Sequence, residues 1–147
     1  MAYLALVRHG ESEWNALELW TGWTDVPLTE KGHREARAAG EEVKNIKWDV
    51  VFQSTLIRSH ETLADMEDVL GIKNIETVSD AALNERDYGN FDGMHKIEVE
   101  EKYGGDLYRK WHRGWDYPIP HGETLKDVYN RVVPYYQKEI LPRLKDN

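Results

Sequence analysis

The chain predicts an α/β fold, a three-layer sandwich in which a mainly parallel sheet is flanked by helices. Two observations carry this expectation. Residues 2–7 form an uninterrupted apolar run of strand length, the pattern of a strand covered on both faces. Strand-length and helix-length patterns then alternate, as crossover connections between parallel strands require. A third observation places chemistry in that frame: Arg8-His9-Gly10-Glu11 follows the apolar run directly, and open α/β sheets gather reactive groups at strand ends.

The elements follow in order. After a Trp-rich loop, Thr29 is an N-cap for a helix in which Ala36, Ala39, Gly40 and Val43 recur at helical spacing, with Glu30 at the positive end. Residues 48–52 read as a second strand closed by Gln53-Ser54. Leu63, Met66 and Leu70 mark a second amphipathic helix that ends at Gly71. A weaker strand falls near 75–78. Residues 84–120, rich in Gly, Tyr and Trp, read as an irregular segment, and loops of that length are usually functional. Thr124 begins a last helix with Leu125, Val128, Val132, Tyr136 and Ile140 as its apolar stripe, and Pro134 inside it predicts a bend or break. Residues 142–147 cannot form the strand that a crossover helix needs after it. Two or three strands under three helices leave a sheet edge and a helix face open, so self-association as a homo-oligomer is expected.

Length and composition set outer limits. The 147 residues suit one domain, expected to be incomplete at its C-terminal end, and 40% hydrophobic with 11% aromatic residues is enough for a core. No apolar run approaches a membrane span and no leader pattern opens the chain, which points to the cytoplasm. Zero cysteines leave histidine, carboxylates and hydroxyls as the candidate catalysts. A net charge of −8 argues against nucleic acid as a partner, while a small anion remains a fitting ligand where cations converge. His33, His60 and His95 lack metal-ligand spacing and read as surface residues, so no metal is expected. The six tryptophans read mostly as core or pocket wall.

The residues at the strand ends suit phosphoryl transfer. A neutral imidazole at His9 can attack a phosphoryl group, Arg8 beside it neutralises the phosphoryl oxygens, and Gly10 allows close backbone approach. Arg58, shortly after the second strand, falls on the same sheet edge and completes a phosphate clamp. Glu85, after the third strand, can move a proton on a substrate hydroxyl.

At these residues the chain resembles a family. Leu6-Val7-Arg8-His9-Gly10-Glu11-Ser12-Glu13-Trp14-Asn15 and Thr21-Gly22-Trp23-Thr24-Asp25 are similar to the opening of bisphosphoglycerate-dependent phosphoglycerate mutases, within the histidine phosphatase superfamily. The resemblance continues through Gln53-Ser54-Thr55-Leu56-Ile57-Arg58, Leu83-Asn84-Glu85-Arg86-Asp87-Tyr88-Gly89, Gly93-Met94-His95-Lys96 and Gly122-Glu123-Thr124-Leu125-Lys126-Asp127. It implies interconversion of 3-phosphoglycerate and 2-phosphoglycerate, with His9 as the phosphorylated nucleophile, Arg8 and Arg58 as clamps and Glu85 as general acid/base. It implies substrate contacts from Ser12, Asn15, Thr21, Gly22, Tyr88, Lys96 and Arg113. It also implies 2,3-bisphosphoglycerate as priming donor, with no permanently bound cofactor and small phosphoglycerates as the partners.

Two departures from the family pattern stand out. Its paired arginines near the substrate carboxylate appear here as His112-Arg113, which makes half of that clamp pH-dependent. Its second catalytic histidine, on a strand after the last helix, would lie beyond Asn147, and losing such a group costs on the order of 100-fold or more in rate. His121 is no replacement, because it lies in the loop before Thr124. A histidine-type phosphatase of small metabolites and a non-catalytic phosphoglycerate-binding module therefore stand as alternatives to the mutase.

Overall fold

The computed structural model describes residues 2–145. Its sheet has two parallel strands, β1 (Val50–Gln53) and β2 (Glu76–Ser79), in register from Val50 opposite Glu76 to Gln53 opposite Ser79. Around them lie α1 (Glu13–Ala16), α2 (Glu30–Glu42), α3 (Ile57–Leu70), α4 (Lys96–Tyr103), α5 (Gly105–Arg113), α6 (Leu125–Tyr135) and α7 (Leu141–Lys145). The fold is α/β with a parallel sheet and helices, and α3 is the crossover between the strands. Thr29 caps α2 by accepting from the Gly32 amide, and Gly71 closes α3 in the left-handed conformation, as the sequence predicts. Helices α2 and α3 pack closely because Gly40 faces Met66 with room for no larger residue than a slight shift would allow.

Residues 2–7 depart from expectation. They form no strand: Leu6 is 89% exposed and Tyr3, Leu4 and Val7 are exposed too. Instead they line one wall of an apolar cavity of about 600 Å³, across from Val50, Phe52, Leu63, Met66 and Ile140. The physical reason is coverage. A parallel strand hidden on both faces needs a partner along its edge and helices above and below, and among the described residues β1 pairs only with β2.

Residues 84–120 are a second correction, because they hold α4, α5 and a short 3₁₀ turn at Gly89–Phe91, just after another at Ala81–Leu83. Two helices of eight and nine residues, separated by Gly104 at φ 87°, are too short to show a sustained period. This region also supplies most of an aromatic core cluster: Phe91, Val99, Trp111 and Ile119 pack with Trp20, walled by Tyr88 and Tyr108. The tryptophans divide accordingly, with Trp20 and Trp111 buried and Trp23 and Trp115 exposed. At the other end, Thr124 and Asp127 form a capping box for α6. Pro134 lies inside α6 without ending it: the helix runs on to Tyr135 and continues as a π-helical turn at Tyr136–Ile140 before α7.

Candidate active site

His9 sits at the turn where the N-terminal segment meets α1 and α2. Its Nδ1 donates to the Gly10 carbonyl at 2.6 Å, since a carbonyl can only accept, which leaves Nε2 as the unprotonated nitrogen of the neutral ring. Burial, with Arg58 and Arg8 nearby, holds the imidazole below its ordinary pKa, so the nucleophilic neutral form dominates near neutral pH. The turn is pinned by tertiary bonds. The Gly10 amide donates to Thr62 Oγ1 at 3.1 Å, and that hydroxyl donates to the Arg58 carbonyl at 2.7 Å, so the turn at His9 is registered against the helix that carries Arg58. A side chain at Gly10 would collide with the backbone of Gly32, which explains the glycine.

Arg58 is 1% exposed. Its Nη2 donates to the Gly22 carbonyl and to Glu85 Oε2, both at 2.8 Å, and Nη1 donates to the Thr24 carbonyl at 3.2 Å. The guanidinium thus sits between the 21–24 loop and Glu85. Leu56 offers no cap to α3, and Asp25 supplies one by accepting from the Ile57 amide at 2.6 Å. Gly22 takes φ 53°, and the Asp92 carboxylate occupies the space a side chain there would need. Burial and the neighbouring Asp87 push Asp92 up to about 6. Tyr88 stands beside Glu85, and burial followed by that carboxylate pushes its phenol up to about 12, so it is a neutral hydrogen-bond donor.

A second group of cations lies across Tyr88. Arg86 is 4% exposed, donates through Nε to the Glu123 carbonyl at 2.6 Å, and leaves both Nη atoms buried with no hydrogen-bond partner among the described residues. Its guanidinium lies over the Tyr88 ring at 5.5 Å. His112 packs on Trp20 and Tyr108, and its pKa is lowered by burial and then by Lys96, Arg113 and Arg86. Two unpaired buried donors beside three further basic side chains are a place for an anion.

The structure therefore brings His9, Arg58, Glu85 and Tyr88 together, and places Lys96 and Arg113 in the second group around His112. Arg8 is exposed but acts on His9 by charge. Ser12 and Asn15 are engaged with each other: Ser12 is fully buried and the pair caps α1. Thr21 is buried, its hydroxyl unpartnered among the described residues, and Gly22 holds Arg58 through its carbonyl. Arg86 is the residue that sequence reasoning passed over. An arginine next to a glutamate reads as a surface pair, yet its partner is the Glu123 carbonyl, 37 positions away.

With this geometry in place, the fold and site define a class: the chain matches the histidine phosphatase superfamily (branch 1) over residues 4–145 and belongs to it. Among curated proteins it is 46% identical over 143 residues to the 2,3-bisphosphoglycerate-dependent phosphoglycerate mutase of Mesorhizobium japonicum, covering 96% of this chain and 69% of that protein. Among solved structures it is similar to Bacillus stearothermophilus YhfR, with a TM-score of 0.79, 28% identity, and coverage of 92% of this chain and 65% of that one. The mycobacterial glucosyl-3-phosphoglycerate phosphatase Rv2419c shares the fold at a TM-score of 0.78 and 22% identity, over 91% of this chain and 61% of that one. The chain thus spans less than two thirds of these two solved chains.

Proposed function

We propose that the chain carries the phosphoryl-transfer site of a 2,3-bisphosphoglycerate-dependent phosphoglycerate mutase, interconverting 3-phosphoglycerate and 2-phosphoglycerate. The observation that supports this reading most directly is the convergence of a neutral His9, a buried Arg58 and Glu85 beside a separate cation cluster. One anion site would hold the phosphoryl group and the other the carboxylate of the same glycerate. The 46% identity to a mutase of that name favours the same substrate.

In the priming step His9 Nε2 attacks the phosphorus of 2,3-bisphosphoglycerate. The N–P bond forms as the P–O bond to the glycerate breaks, and the departing oxygen takes a proton at the Glu85 carboxyl. Arg58 and Arg8 balance the charge on the phosphoryl oxygens, which is most of what phosphoryl transfer asks of a protein. Return of the phosphoryl group to the other hydroxyl of a bound phosphoglycerate reverses these bonds. Lys96, Arg113 and Arg86 would hold the glycerate by its carboxylate, while Tyr88 donates a hydrogen bond between the two sites. Thr21 and Gly22 would line the phosphoryl side, and Ser12 and Asn15 would shape its turn. Reaction in the cytoplasm, on small anionic metabolites and without a resident metal, fits this reading.

Intact mass before and after incubation with 2,3-bisphosphoglycerate tests it. Gain of one phosphoryl group, lost in mild acid and absent in His9→Ala, is the expected result; uptake that survives in His9→Ala would sink it. Product analysis from 3-phosphoglycerate then separates the neighbouring readings. Release of inorganic phosphate in place of 2-phosphoglycerate makes the chain a phosphatase, a reading the 36% exposure of the Glu85 side chain favours because water reaches it. Binding with no label on His9 makes it a phosphoglycerate-binding module.

A further inference from the structure

One side chain of α6, Arg131, reaches into the segment that carries Glu85. Arg131 Nε donates to Glu123 Oε1 at 2.8 Å, and Nη2 donates to Glu123 Oε2 and to the Glu85 carbonyl, each at 2.9 Å. Nη1 donates to the Ala82 carbonyl at 2.8 Å. The planar fork thus joins a bidentate carboxylate to two main-chain carbonyls three residues apart, a pattern an ammonium cannot copy. Glu123 extends the hold: Oε2 also accepts from the Asp87 amide at 2.9 Å, and its own amide donates to the Asp87 carbonyl at 2.8 Å. Burial opposes ionisation of Glu123, but the bonds from Arg131 and the Asp87 amide outweigh it and hold the carboxyl below its ordinary value.

The Glu85 carbonyl is held from a second direction. Trp23 Nε1 donates to it at 2.6 Å, and the Trp23 ring lies 5.7 Å from the Arg131 guanidinium. Trp23 lies between Gly22 and Thr24, whose carbonyls accept from Arg58. One unit made of Arg131, Glu123 and Trp23 therefore sets both the backbone of Glu85 and the loop that seats Arg58. We propose that Arg131, together with Glu123, is the positioning residue that aims the Glu85 carboxylate at the phosphoryl site. The inference rests on the reading of Glu85 as the proton carrier. Arg131 acts through Glu85 and touches no reacting atom.

Orthovanadate, an analogue of the phosphoryl group in transfer, is the probe, with binding read by calorimetry. Glu85→Gln and Arg131→Ala are each expected to weaken it about tenfold, and their combination by less than about twofold more than Glu85→Gln alone, because coupled residues lose the same interaction once. Arg131→Lys should not restore binding, and Trp23→Phe, which removes one donor and keeps the ring, should weaken it less. Losses that multiply in the double variant, or full recovery in Arg131→Lys, would overturn the proposal. Amide exchange at Asp87 gives a readout independent of binding, with Arg131→Ala expected to speed it about tenfold at an otherwise folded chain. Failure of the unaltered chain both to bind vanadate and to take a phosphoryl group would overturn the phosphoryl-transfer reading. Unchanged Asp87 exchange in Arg131→Ala would overturn the positioning role.

Discussion

The turn region around His9, Arg58 and Glu85 and the sheet region around residues 2–7 were built from sequence signals of similar strength, and they end in opposite states. Around the site, side chains from distant segments bond to main-chain groups: Thr62 to Gly10, Arg58 to Gly22 and Thr24, Arg131 to Ala82 and Glu85. In the sheet region an apolar run stands exposed beside a cavity, joined to β1 by no ladder among the described residues. The difference teaches that this site does not depend on a wide sheet to hold its geometry. Hydrogen bonds from a few buried polar side chains, backed by the aromatic cluster at Trp20, define it.

That contrast can be broken or sharpened by substitution. The largest effect is expected at Trp20, 1% exposed and packed on Tyr88, Phe91, Tyr108 and His112. Trp20→Ala should cost about 3–5 kcal/mol in denaturant unfolding, and a loss near zero would show that the aromatic cluster does not carry the site. A smaller effect attaches to Asp92, whose folded pKa of about 6 lies above its ordinary value of 3.8. The folded state then holds the proton more tightly than the unfolded chain, so this group's stabilising contribution is full below pH 3.8 and is lost as pH rises through 6. Asp92→Asn is therefore expected to raise stability at pH 7–8 by roughly 1 kcal/mol, discounted for its partial exposure, and to leave it unchanged near pH 3.5. Thermal melting across that range checks the sign, and a gain confined to acid would reverse it.

The smallest effect belongs to the sheet region. Leu6→Ser should change stability by no more than about 0.5 kcal/mol, because little apolar surface at Leu6 leaves water on folding. A loss several times larger would mean that residues 2–7 are covered in solution, by self-association or otherwise, and the contrast between the two regions would fall. Sedimentation of the same variant beside the unaltered chain tells these cases apart.

Much of the site was legible because it rides on local motifs. His9 follows an apolar run and precedes Gly10, Arg58 begins α3, and Thr29, Gly71 and Thr124 mark helix ends by chemistry that acts within four residues. Arg86, Glu123 and Arg131 were not legible as a site. Their partners lie from 8 to 50 positions away, and no local pattern encodes a bond of that span. The helices within 84–120 were missed for a related reason, since α5 is defined by Trp111 and Leu107 packing into the core more than by propensity.

Read from the sequence alone are the class of fold, the parallel order of β1 and β2 through the α3 crossover, and the placing of His9 at a turn beside Gly10. These follow from periodicity, caps and turn residues, which are local. Tertiary structure alone decided whether residues 2–7 would pair, because a strand exists only when a neighbour satisfies its edge. It also decided which charges would be gathered, because burying Arg58 and Arg86 costs free energy that partners brought from elsewhere in the chain offset, Glu85 for one and the Glu123 carbonyl for the other.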